Sequence, residues 1–358
     1  MFDPTKFEPA HQVAGILTGT LDHPQPGGGQ SCRVAHVDTG SGFRFTVALD
    51  RGGDIVQATH NATNLAFLTP NGYKPPAHAH HRGEEWLTGW PGGRVTTCGP
   101  RYIGPPRTED GHDVSLHGSF SNTPAAVQAI KPPDFRAGGD AAMHLDLVIR
   151  ETRMYDPTLE VCRRIACTAG QPAVTITDRV TNLGNTAVAH HWLYHVNLGY
   201  PLLDEAAELV YAGAVTLWQP EGWVPTADDL ATLKRVPAPL DEHRGPASRV
   251  VFADVPADSD GRCHVGLIND ARGLAVELSF DKAQLPRFAN WQHYGPGCYV
   301  TGLEPFAGSL RGKADDDHPG AERYLEPGDA RDYGLTLRVL TEADAIAALR
   351  GHDGALTV

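Results

Sequence analysis

Residues 142–149 read Ala-Met-His-Leu-Asp-Leu-Val-Ile, and Met143, Leu145, Leu147 and Ile149 occupy every second position. Apolar side chains at that spacing line one face of an extended strand, whereas a helix would scatter them around its circumference. The same spacing recurs in Phe43, Phe45, Val47 and Leu49, and similar runs span 159–167, 174–182, 250–255, 274–280 and 333–340. Many of the 39 Gly and 28 Pro stand between these runs and end them. Many short strands closed off by such turns predict an all-β protein, a large antiparallel β-sandwich. Helical patterns are few and peripheral. Thr226 opens TADDLATLKR; Thr341 opens TEADAIAALRG, with Asp344 in the first turn, Ile346 and Leu349 on one face and Gly351 as stop.

With 358 residues, 41% of them hydrophobic, the chain can bury a full core. It has no internal repeat, and its Gly/Pro-rich stretches at 24–29, 70–76, 99–106 and 307–320 are loop-sized, so one domain over residues 1–358 is expected. The net charge of −13 is spread along the sequence and disfavours nucleic acid and anionic membranes, leaving a small polar molecule as the expected partner. Six widely spaced cysteines without a C-x-x-C pair, and an N-terminal MFDPTKFEPAHQ without an apolar segment, point to a reducing cytoplasm. No uninterrupted apolar run is long enough for a membrane span.

Four segments combine reactive side chains with turn-forming residues, as loops do when a rigid sheet carries a site. They are LDRGGDI at 49–55, GGRVTTCG at 92–99 leading to Leu116-His117-Gly118, YHVNLGYP at 194–201, and GLEP at 302–305. With PGGRVTTCG, SLHGSFSNTPA, LYHVNLGYPLL and YVTGLEPFAG in that order, the chain resembles the galactose mutarotase-like superfamily, and within it an aldose 1-epimerase-like branch. The likeness runs from about Arg51 to the closing strand after LEPGDARDY. It implies a supersandwich of antiparallel sheets, isomerase chemistry on a monosaccharide or sugar derivative, and no cofactor or metal.

Interconverting anomers requires taking a proton from the anomeric hydroxyl and giving one to the ring oxygen, which one base and one acid of tuned pKa can do. The resemblance places the base at Glu304, where Leu303 and Pro305 offer a partly apolar setting that raises a carboxyl pKa. It places the acid at His195, in Tyr194-His195-Val196-Asn197-Leu198, which departs from the His-x-Tyr-Phe-Asn-Leu of better-studied mutarotases. His191, four residues earlier on the same strand face, is the alternative. His117 resembles the second histidine, which bonds the sugar near its anomeric centre, with Gly118 allowing close approach. Arg51 resembles the arginine that holds a sugar hydroxyl, against which stands a turn salt bridge to Asp50 or Asp54. Asn197 shares the strand face of His195. Trp291 offers an apolar ring face to sugar C–H groups, ahead of Trp90 and Tyr102, which read more readily as core. Arg94 and Cys98 belong to the GGRVTTCG signature without a mechanistic role, Cys98 reading as a buried structural thiol.

Three other readings compete. His78, His80 and His81, with Glu84 and Glu85 behind them, could hold a divalent ion and make a metal-assisted sugar isomerase acting at another carbon. Non-catalytic carbohydrate binding would need the aromatic and arginine residues but not the acid/base pair. Glycoside cleavage would need two carboxyl groups flanking one bond, and no second carboxylate matches a motif.

Overall fold

The computed structural model describes residues 2–22, 31–74, 82–109, 112–218, 226–311 and 324–357. The alternating stretch forms the strand Ala142–Glu151, with Met143, Leu145, Leu147 and Ile149 all buried. It pairs antiparallel with Leu159–Thr168, so that Met143 meets Cys167, Leu145 meets Ile165 and Ile149 meets Val161. Pleating sends the intervening polar residues to the opposite face.

Among the described residues this pairing extends into an eight-stranded sheet in the order Ala125–Lys131, Ala142–Glu151, Leu159–Thr168, Ala173–Asn182, Ala330–Leu340, Leu274–Asp281, Arg262–Asn269 and Glu208–Val210. A twelve-stranded sheet begins Gly15–Leu21, Cys32–Asp38, Phe43–Ala48 and Asp54–His60, with the short Thr63–Asn64 paired to the last of these. It continues through Val95–Cys98, Trp192–Gly199, Cys298–Ala307, Arg287–Gly295, Arg249–Ala253, Gly213–Trp218 and Leu356–Thr357. The inward residues of both sheets form one apolar cluster that includes Val47, Leu147, Ile165, Val196, Leu278 and Leu303. The fold is the large antiparallel sandwich expected from the alternation.

A charged link crosses that core. Arg163, in register with Leu147, is buried among apolar side chains. It bonds both oxygens of Asp178 at 2.8 and 2.9 Å on its own sheet, and Thr97 Oγ1 at 2.8 Å on the other. Asp54 Oδ1 lies 3.4 Å from the same guanidinium and accepts the Thr97 N–H at 2.9 Å, while the Tyr194 hydroxyl donates to Asp178 at 2.6 Å. Each buried charge therefore has a partner, which is the condition for tolerating it.

The helices are peripheral. Thr226 caps Ala227–Thr232 in a reciprocal box with Asp229. In Ala343–Arg350 the N-cap falls on Glu342, one residue after the expected start, and Leu349 packs against Val210, Ile268 and Leu340. Trp86–Gly89 is an additional single turn, too short to leave a periodic signal. No described helix is long and apolar enough to cross a membrane, and all six cysteines are free.

Candidate functional site

Four adjacent strands of the large sheet build the site. Val95–Cys98, Trp192–Gly199, Cys298–Ala307 and Arg287–Gly295 lie side by side near its middle. On the second of these, Trp192, Tyr194, Val196 and Leu198 enter the core between the sheets, which turns His195 and Asn197 to the other face. Register sets two rows across that face. Thr96 pairs with His195, and Glu304 with Ala289; two residues along, Asn197 pairs with Gly302, and Gly302 with Trp291.

His195 and Glu304 stand together. Nε2 of His195 lies 3.2 Å from Oε1 of Glu304, and the two residues are 5% and 3% exposed. Gly302 makes the space beside them: a Cβ there would fall 2.3 Å from Glu304 Oε1 and 3.3 Å from His195 Cε1. The Trp90 and Trp291 rings stand 5.6 and 5.5 Å from the His195 ring, and His117 stands 5.6 Å away, edge-on. Trp90 is fixed by its indole N–H, which donates to Thr96 Oγ1 at 2.9 Å, and Trp86 stacks on it at 5.2 Å.

Burial sets the protonation of the pair. It raises the Glu304 carboxyl from 4.5 to about 8. Burial first, and the neighbouring His117 second, lower His195 from 6.5 to about 3. Between those limits the pair holds a single proton, carried by Glu304, and the 3.2 Å approach is a close contact without hydrogen-bond geometry, which leaves Glu304 Oε1 and His195 Nδ1 buried and without hydrogen-bond partners among the described residues. His117 is lowered to about 4 by burial and is neutral; its Nδ1 lies 2.7 Å from Ile103 O and donates to it, leaving Nε2 free to accept. His117 has φ +59°, and a Cβ on the following Gly118 would collide with Tyr102 O at 2.5 Å. The loop can present the imidazole only because position 118 has no side chain.

The other sequence candidates divide. Asn197 bonds the His195 carbonyl through Nδ2 at 3.1 Å, and its Oδ1 is buried without a hydrogen-bond partner. Arg51 is buried beside Gly89, and neither expected turn bridge forms, because Asp50 is held by Arg33 and Asp54 by Arg163 and Thr97. Among the described residues its one hydrogen bond is a 3.4 Å contact to Lys74 O, and Nε and Nη2 have none. His191 takes a structural position: Ser309 N donates to its Nδ1 at 3.1 Å, and His195 is the one that meets Glu304. Tyr102 packs on His191 and Arg107. Cys98 is buried, its thiol held well above the ordinary range. His78, His80 and His81 lie outside the described residues, and Glu84 and Glu85 open the turn leading to Trp86.

Trp86, Trp90 and Gly302 stand around the pair although their sequence patterns carried little weight. An aromatic residue four positions from another, as in Trp86 and Trp90, is the one signal that was available. The described grooves lie elsewhere: one of about 770 Å³ borders Ser115, Ser119 and Glu151, and one of about 700 Å³ lies along Asp146, Arg164 and Asp332. The pair is singled out by its chemistry.

These sheets define a galactose mutarotase-like β-sandwich. The chain belongs to the family described as a domain of unknown function, DUF4432, which matches residues 29–339. A candidate aldose 1-epimerase from Klebsiella pneumoniae subsp. pneumoniae superposes with a TM-score of 0.85 at 20% identity, over 97% of this chain and 92% of that one. A galactose mutarotase-like protein from Clostridium acetobutylicum gives 0.62 at 10% identity over 92% and 99%. Galactose 1-epimerase from Lactobacillus acidophilus gives 0.55 at 10% identity over 91% and 99%. At these identities the likeness is one of fold. No curated protein sequence matches the chain.

Proposed function

We propose that the protein is an aldose 1-epimerase-type isomerase that interconverts the anomers of a sugar by opening and reclosing its ring. The observation that carries this reading is the contact of His195 Nε2 with Glu304 Oε1 at 3.2 Å beside the bare Gly302. The reaction requires the proton that burial leaves on Glu304 to move to His195 once the sugar is bound; Glu304 is then a carboxylate able to take the anomeric hydroxyl proton, and His195 an imidazolium able to protonate the ring oxygen. The C1–ring oxygen bond breaks and leaves an open-chain aldehyde. Rotation about C1–C2 turns its other face to the hydroxyl, which adds again while both protons return. The pair ends as it began.

The surroundings suit that task. Two indoles beside the imidazole give the C–H face of a sugar an apolar surface, and neutral His117 can accept from a hydroxyl. Arg51 and the free Oδ1 of Asn197 offer further polar contacts. The fold shared with aldose 1-epimerases agrees with this assignment, and the substrate class it suggests is a monosaccharide or a derivative of one.

Two-dimensional exchange NMR on an equilibrated sugar measures the reaction directly. The wild-type protein should speed α/β exchange, and Glu304→Gln and His195→Asn should each lower the rate by a factor of about 10² or more. His191→Asn should keep most of it. Unchanged exchange in folded Glu304→Gln would remove the carboxylate from the mechanism.

A further inference from the structure

Arg94 is a buried guanidinium without a counter-ion among the described residues. It is 2% exposed, its one hydrogen bond is a 3.4 Å contact to Leu65 O, and no described carboxylate pairs with it. The protein contains its own comparison. Where Arg163 is buried in the core, Asp178 grips it with two bonds and Asp54 stands beside it, so that its pKa is raised although burial alone would lower it. At Arg94 burial acts unopposed and lowers the pKa to about 9. Arg51 is a second case: among the described residues it makes no ion pair, and Asp54 only partly offsets its burial. The described residues supply carboxylates for one buried arginine and none for the other, which leaves the second to be neutralised by something else.

Position says what that is. Val95 enters the core and Thr96 meets Trp90 on the site face; Arg94 stands just before this strand, and its guanidinium contacts Leu65 O, two residues before Phe67, whose ring lies 5.9 Å from that of Trp90. The Arg94 carbonyl accepts the Asn197 N–H at 3.0 Å, which puts Arg94 at the head of the row Arg94, Asn197, Gly302, Trp291. That row lies two residues along from His195, about 8 Å between the backbones of Arg94 and His195 by strand geometry. A pyranose held at its anomeric carbon by His195 and Glu304 would point the far side of its ring along this row.

We infer that the substrate is an acidic sugar, with a carboxylate or phosphate remote from the anomeric carbon, and that Arg94 is the residue that receives its anionic oxygens. This rests on the anomer-exchange reading for the chemistry, while the binding part stands apart from it. A planar guanidinium meets two oxygens of a carboxylate or phosphate with parallel N–H bonds. The overall charge of −13 gives an anion no general attraction, so selection falls to this contact.

The test is exchange NMR with glucuronate and galacturonate, the corresponding 6-phosphates, and the neutral parent sugars. At least one anionic series should exchange with kcat/KM about 30-fold or more above its neutral parent, and Arg94→Met should erase that advantage, with Arg94→Lys restoring part of it. A lead for the uronates assigns the anion to a carboxylate, and a lead for the 6-phosphates to a phosphate. Neutral sugars exchanging as fast as both anionic series overturn the inference. If wild-type protein speeds exchange of no sugar, the anomer-exchange reading fails instead. Calorimetric titration of the same compounds then decides the binding part: an anionic sugar that binds wild type and is weakened in Arg94→Met upholds it, and equal or absent binding of anionic and neutral sugars overturns it. If Arg94→Met does not fold, Arg94→Lys takes its place, and an anionic advantage undiminished in Arg94→Lys overturns the assignment to Arg94.

Discussion

Glu304→Gln removes one titrating group while nearly preserving the shape of the side chain, and its effect on stability can be worked out in advance. Burial raises the folded-state pKa from 4.5 to about 8, so the folded protein keeps a proton that the unfolded chain has already released. Stability therefore falls as pH rises from about 4.5 to about 8. His195 and His117 run the opposite way. Their folded pKa values, about 3 and about 4, lie below the unfolded 6.5, so they add stability as pH rises toward 6.5 and contribute no further change above it. Between pH 6.5 and 8 Glu304 is the member of the trio that acts, and its loss amounts to about 2 kcal/mol at about 1.4 kcal/mol per pH unit. Urea unfolding of wild type and Glu304→Gln at those two pH values isolates this, because every other group titrates alike in both proteins. Wild type should lose about 2 kcal/mol more than the variant over the interval. Parallel behaviour of the two would refute the claim that burial governs Glu304.

Other expectations follow from the same geometry. Gly302→Ala places a methyl group 2.3 Å from Glu304 Oε1, so it should displace the carboxyl group, lower anomer exchange by a factor of about 10² and cost about 1–3 kcal/mol in denaturant unfolding; full activity would show that this space is not used. Arg163→Met strands Asp178 and Asp54 in the core and should cost about 3–5 kcal/mol in denaturant unfolding, a loss below about 1 kcal/mol contradicting the account of the link between the sheets. The kcat/KM for exchange should stay level through neutral pH and fall above about 8, as the His195–Glu304 pair gives up its single proton; a rate still climbing past that point would mean that the proton is not required.

The strand pattern was legible where one face of a strand is buried and the other wet. Ala142–Glu151 and Leu159–Thr168 alternate cleanly because they lie in such a setting. Trp192–Gly199 is buried at every position, so its residues are apolar or large on both faces and period two is blurred. That burial also explains the ambiguity between His191 and His195. Both fall on one face by parity, and only the pairing with Cys298–Ala307 distinguishes the one beside Glu304 from the one beside Ser309.

By itself the sequence determined the all-β class, the strands with one buried face, two of the peripheral helices and the four segments that carry reactive side chains, because each rests on local periodicity or turn chemistry. What touches what was decided by tertiary structure. Glu304 and His195 are more than a hundred positions apart in the chain and meet through the register of two neighbouring strands. Trp90 reached the site through a turn too short to predict, and Arg51 was freed from its neighbouring aspartates because Arg33, Arg163 and Thr97 claimed them. Arg94 differs from Arg163 only in the company it keeps. Burial and partners are collective properties of the packed sheets, and they separate a buried charge the core has neutralised from one left for a ligand.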